Sequence, residues 1–125
     1  CLFTYNLLHN LPITVYTGHT RTSTYIYDCV KTLANICDNF KQGEIYNIAS
    51  EENHTIEELA EIILSHTKAN PKLVKYVHNN EILTTKDKFV DARKAVWDLG
   101  HENSIKLETG VKKTVEWMRK YYGIK

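Results

Sequence analysis

Two side chains in this sequence are of the types that hold an anion. Arg21 heads the block Arg21-Thr22-Ser23-Thr24-Tyr25-Ile26-Tyr27-Asp28-Cys29-Val30, and Asn47 lies within Gly43-Glu44-Ile45-Tyr46-Asn47-Ile48-Ala49-Ser50. A guanidinium presents a planar fork of N–H donors that matches a phosphate, and an amide adds a neutral donor. The first block reads as a strand running into a helix, the second as a strand ending in a polar loop. If those strands lie side by side, Arg21 and Asn47 converge on one anionic ligand. The plainer alternatives are a surface ion pair for Arg21 and a turn role for Asn47.

Any such site must be local. Sixteen basic residues against fifteen acidic leave a net charge of +1, so no overall field recruits nucleic acid or a membrane surface. No apolar run approaches the length of a membrane-spanning helix, and no signal-peptide pattern opens the chain. A length of 125 residues fits one domain, residues 1–125, with 42% apolar residues to build a core. The start at Cys1, inside an apolar helical pattern, raises the expectation of a piece of something longer. Cys1, Cys29 and Cys37 have neither a metal spacing nor a partner within bridging distance on one helix, so buried free thiols and a cytoplasmic setting are expected.

The elements that must position Arg21 and Asn47 follow from periodicity. Residues 2–9 form a short amphipathic helix ending at Asn10, Ile13 to Thr17 is a strand closed by Gly18, and 22–27 is a second β-rich run. Asp28 stands at an N-cap position, opening a helix to about Phe40 that buries Val30, Leu33, Ala34 and Cys37. Residues 45–48 form a short strand. Thr55-Ile56-Glu57-Glu58 has capping-box form before a helix carrying Ile56, Leu59, Ala60, Ile63 and Leu64. Asn70-Pro71 breaks the chain, 72–77 is a strand, and 78–88 is a polar loop. Residues 90–99 form a helix stopped by Gly100, and 106–121 a last helix burying Leu107, Val111, Val115 and Met118, with Trp117 on its flank. The class is α/β, a small mixed domain of interleaved short strands and helices.

Taken in order, these blocks resemble the C-terminal, substrate-binding part of an extended short-chain dehydrogenase/reductase of the sugar-nucleotide epimerase/dehydratase family. Arg21 to Val30 is similar to that family's Arg-Asp-Phe-Ile-Tyr-Val-Asp-Asp-Val-Val, with Arg21, Tyr25, Asp28 and Val30 identical. Ile45–Ser50 resembles Val-Tyr-Asn-Ile-Gly-Ser, and Thr55–Leu59 resembles Thr-Ile-x-Glu-Leu. Val90–Ala95 with Leu99-Gly100-His101 is similar to Asp-x-x-Lys-Ala…Leu-Gly-Trp, and Leu107 to Trp117 to Leu-Glu-Glu-Gly…Thr-Val-Glu-Trp.

The resemblance implies that Arg21 and Asn47 contact a nucleotide diphosphate. Tyr25 reads as a core aromatic, with a wall of the sugar pocket as the alternative. A second family Arg corresponds to the stretch from His78 to Lys86, which holds no Arg; Lys86, Lys88 and His78 are the candidates to replace it, Lys86 being the one taken as a site residue, and none offers a bidentate fork. The resemblance further implies NAD for the full-length enzyme, bound by a Rossmann half that this chain lacks. The glycines (18, 43, 100, 110 and 123) never share a turn, so no dinucleotide cradle is expected here and the chain alone binds no cofactor. The expected partners are a nucleotide-diphosphate sugar, that Rossmann half, and further copies in a homo-oligomer. A non-catalytic binding or oligomerisation module is the alternative.

Tyr27…Lys31 and Tyr121…Lys125 match the family's catalytic Tyr-x-x-x-Lys, but eight tyrosines in a lysine-rich chain give about one match by chance. No catalytic residue is assigned. The six histidines show no zinc spacing, and His101 is read as packing.

Overall fold

The computed structural model describes residues 1–39, 41–78 and 85–125. The expected helix end at Phe40 and the centre of the expected 78–88 loop lie outside them. Five helices are present among the described residues: α1 (Leu2–Leu8), α2 (Ile26–Asn35), α3 (Ile56–Thr67), α4 (Arg93–Leu99) and α5 (Leu107–Tyr122). Four short strands interleave with them: β1 (Ile13–Thr17), β2 (Thr20–Thr22), β3 (Asn53–Thr55) and β4 (Val74–His78). β1 runs parallel to β4, with Ile13 opposite Val74 and Thr17 opposite His78. β2 runs antiparallel to β3, with Arg21 opposite His54. None of the described helices is long and apolar enough to cross a membrane.

The core lies between α1, β1, α3 and α5. Leu7, Leu8, Ile13, Val15, Ala60, Ile63, Val111, Val115 and Met118 form one buried cluster; Ala60, Ile63, Val111, Val115 and Met118 are among the residues expected in the core, while Ile56, Leu59, Leu64 and Leu107 are only partly buried against it. Local chemistry fixes the ends of these elements. The Thr55 hydroxyl accepts from Glu58 N at 3.0 Å while the Glu58 carboxylate accepts from Thr55 N at 2.7 Å, a complete capping box. Those two bonds draw the Glu58 pKa below its ordinary value. Gly100 takes the left-handed conformation (φ +61°) that stops α4.

Three expectations are corrected. The β-rich run 22–27 leaves the sheet after Thr22, and α2 starts at Ile26 with Tyr25 as its N-cap. β-propensity yields here because the contacts of the following turn need a helix: Asp28 sits in its first turn and is no cap. Residues 45–48 form no strand. A strand requires a ladder partner, and this run is held by side chains instead, with Ile45 84% exposed.

The third correction concerns the face of α2. Its expected core residues point outward, Val30 and Leu33 each being 50% exposed, while Asp28 and Thr32 are 3% and 1% exposed. The polar stripe is the anchored one. Asp28 accepts from Ser104 Oγ at 2.5 Å and Ile105 N at 3.0 Å. Thr32 Oγ lies 2.6 Å from His101 Nδ1, and Asn35 Nδ2 donates to Leu99 O at 2.8 Å. Each bond satisfies a group that would otherwise be left unpaired, which outweighs exposing a few aliphatic side chains. The thiols follow this face: Cys37 is exposed and Cys29 half-buried, contrary to the expectation of buried thiols, and Cys1 is also exposed.

Candidate substrate-binding site

Arg21 sits at the centre of β2, with its side chain folded along the strand. Its Nη1 donates to the carbonyls of Thr20 (2.6 Å) and Lys86 (2.9 Å). The stretch from Thr85 to Lys88 is zipped onto β2 by Thr20 N to Lys86 O (2.9 Å), Lys88 N to Thr20 O (3.3 Å) and Thr20 Oγ1 to Asp87 Oδ1 (2.7 Å). Two expected site residues, Arg21 and Lys86, thereby share one edge of the molecule, joined through the Lys86 carbonyl. Lys86 itself is exposed.

Asn47 is positioned from elsewhere. Its Nδ2 donates to Asp91 O at 3.3 Å, just before α4, and no strand carries it beside β2. The loop that holds it is tethered to α4 by Tyr46 OH to Asp98 Oδ2 (2.9 Å), Lys41 to Asp98 (2.8 Å) and the Lys94–Glu44 ion pair. Lys41, then Tyr46, lowers the Asp98 pKa, while burial, then Asp98, raises that of the Tyr46 hydroxyl. The side-by-side strands that would bring Arg21 and Asn47 together are therefore not formed.

Tyr25 is half-buried in the wall of a cavity of about 430 Å³ between α1, α3 and α5. Its ring lies against α5 where Gly110 leaves room: a Cβ there would be 3.1 Å from Tyr25 Cδ2. Burial, with a smaller contribution from Tyr27, raises the Tyr25 pKa and keeps the phenol protonated. Arg21, Asn47 and Lys86 do not line this cavity.

Two residues outside the expected set stand out. His54 bridges Ser23 Oγ (2.9 Å) and Arg21 O (2.8 Å). Burial holds its pKa below the ordinary imidazole value, against opposing pulls from Glu58 and Glu52. Its β-rich neighbourhood gives no warning of this, since the contact depends on cross-strand register. Arg93 grips Asp91 bidentately, with Nε and Nη2 to the two carboxylate oxygens, and lowers the Asp91 pKa to about 2. The spacing of two residues is the only sequence sign of that pair.

Among the described residues no group of three or more His, Cys, Asp or Glu could hold a metal ion. β1 ends at Thr17, and Gly18 turns the chain straight into β2; among the described residues no glycine-rich turn leads into a helix N-terminus.

No protein-family model matches the chain. Individual proteins do. UDP-glucuronate 4-epimerase 1 of Arabidopsis thaliana is 31% identical over 141 residues, covering 97% of this chain and 32% of the relative. UDP-N-acetyl-alpha-D-glucosaminuronate decarboxylase of Bacillus cytotoxicus is 32% identical over 106 residues, covering 80% of this chain and 32% of the relative. In three dimensions, UDP-glucose 4-epimerase of Thermotoga maritima, solved with UDP-glucose, superposes with a TM-score of 0.85 at 24% identity over 97% of this chain and 39% of its own. The dTDP-glucose 4,6-dehydratase of Streptomyces venezuelae, solved with NAD and TYD, gives 0.84 at 26% identity over 98% of this chain and 38% of its own. The chain thus spans about a third of the curated relatives that it matches. With the ordered motifs and the shared fold, these matches show that its homologues are the nucleotide-sugar epimerases and dehydratases of the extended short-chain dehydrogenase/reductase family.

Proposed function

We propose that this chain is the C-terminal, substrate-binding part of an NAD-dependent nucleotide-sugar epimerase or dehydratase, and that it does not turn over nucleotide sugars by itself. Arg21 and Lys86 supply cations to the diphosphate, Asn47 a neutral donor, and Tyr25 a wall of the sugar pocket. NAD belongs to the Rossmann part of the relatives, outside the span matched here. The whole enzyme works in the cytoplasm, making precursors for polysaccharides. The observation that carries this reading is Arg21 in an ungapped motif, within a chain that aligns over 97% of its length with a UDP-glucuronate 4-epimerase.

Calorimetric titration of the chain with UDP-, GDP- and dTDP-sugars tests it. Saturable binding is expected, weakened about tenfold or more in Arg21→Lys, which keeps the charge and loses the fork. Equal binding by Arg21→Lys overturns the role of Arg21. No binding to any sugar nucleotide removes the reading for the isolated chain.

A second reading, a non-catalytic binding or oligomerisation module, is favoured by one feature. The outer face of α2 presents Ile26, Tyr27, Val30 and Leu33 to solvent. A contiguous apolar face of this kind marks a surface that another body covers. In the first reading that body is the Rossmann part, in the second a further copy of the chain.

A further inference from the structure

Ser23 and His54 form a pair that the nucleotide-sugar reading does not use. Ser23 Oγ lies 2.9 Å from His54 Nε2, and His54 Nδ1 lies 2.8 Å from the main-chain oxygen of Arg21. That carbonyl can only accept, so Nδ1 carries the ring proton, Nε2 keeps its lone pair and Ser23 is the donor. The β2–β3 ladder sets the arrangement, because Arg21 and His54 are directly opposed in it. Burial favours the neutral, basic form of His54, while Glu58 and Glu52 favour the imidazolium once it forms. His54 is buried, whereas Ser23 is exposed and stands in the wall of the 430 Å³ cavity, among Leu2, Phe3, Leu59, Leu107 and Val111. Two residues past Ser23, Tyr25 is the N-cap of α2 and makes no side-chain cap hydrogen bond, while the first-turn Asp28 N donates to Tyr25 O at 3.1 Å.

We propose that Ser23 is a nucleophile activated by His54, acting on esters of short apolar acyl groups that enter this cavity. Ser23 Oγ bonds to the acyl carbon as its proton passes to His54 Nε2. The bond from that carbon to the alcohol oxygen breaks, and His54 returns the proton to the departing alcohol. Water then attacks the acyl-serine and gives a proton to His54, which passes it to Ser23 Oγ as the carboxylic acid leaves. Nothing is oxidised or reduced. The Arg21 carbonyl does what a carboxylate does in a three-residue triad: it fixes the tautomer and orientation of the ring.

The test is to treat the full chain with a fluorophosphonate, locate the adduct by peptide mass spectrometry, and follow hydrolysis of p-nitrophenyl butyrate. A single adduct on Ser23 is expected, absent in Ser23→Ala. His54→Asn keeps a donor for the Arg21 carbonyl but has no basic nitrogen, and it should label at least about 100-fold more slowly. Ester hydrolysis should fall in both variants. An unmodified Ser23, or equal hydrolysis by wild type and Ser23→Ala, overturns the proposal. Labelling at the wild-type rate in folded His54→Asn overturns it as well. Because Ser23 is exposed, Ser23→Ala keeps the test decisive even if His54→Asn does not fold.

Discussion

Asp28 ties the first turn of α2 to the segment before α5, accepting from Ser104 Oγ and Ile105 N while only 3% exposed. Asp28→Ala would leave the Ile105 N–H and the Ser104 hydroxyl without their acceptor and open space at a buried position. It should lower the unfolding free energy by about 2–4 kcal/mol in a urea titration, with Asp28→Asn losing less. His54 makes a pH-dependent prediction. Its folded pKa lies below the unfolded value of 6.5 because burial disfavours the charged ring. On acidification the unfolded chain therefore takes up the proton first. The contribution to stability is complete above about pH 6.5 and is lost as the pH falls towards the folded pKa. Denaturation midpoints at pH 7.5 and pH 5 should differ less in His54→Asn than in wild type.

At the scale of elements, signals that depend on near neighbours in sequence were legible. The capping box of α3 formed as its four residues predict, so Thr55→Ala should cost about 1 kcal/mol, read from the thermal midpoint. α2 shows where such reading fails. Its apolar residues recur with helical spacing, yet Asp28, Thr32 and Asn35 occupy the complementary stripe and are bonded to Ser104, Ile105, His101 and Leu99. Periodicity identifies two faces of a helix but not which one meets the domain. Leu33→Lys should therefore change stability by no more than about 0.5 kcal/mol, whereas Thr32→Ala, which strips the buried His101 Nδ1 of its partner, should cost about 1–3 kcal/mol. Paired urea denaturation curves separate the two.

For the whole molecule, the outward apolar face of α2 bears on how the chain behaves in solution. Val30→Lys combined with Leu33→Lys should reduce concentration-dependent association in sedimentation velocity, with the fold unchanged by circular dichroism. An unchanged sedimentation profile would separate this face from any self-association. Ile26 and Val30 of this face belong to the motif that begins at Arg21, and Leu33 lies one helical turn beyond it.

By itself the sequence determined the α/β class, most of the helices, part of the core in α1, α3 and α5, and the likeness to the family, because each rests on local spacing or on motif order. It also singled out Arg21, whose fork is a property of one side chain. Only the tertiary structure decided that α2 turns its polar stripe inward, that residues 45–48 form no strand, and that Asn47 is anchored beside α4. The same holds for His54, set between Ser23 and the Arg21 carbonyl. Each of these depends on which buried polar groups find partners far along the chain, and no local pattern carries that information.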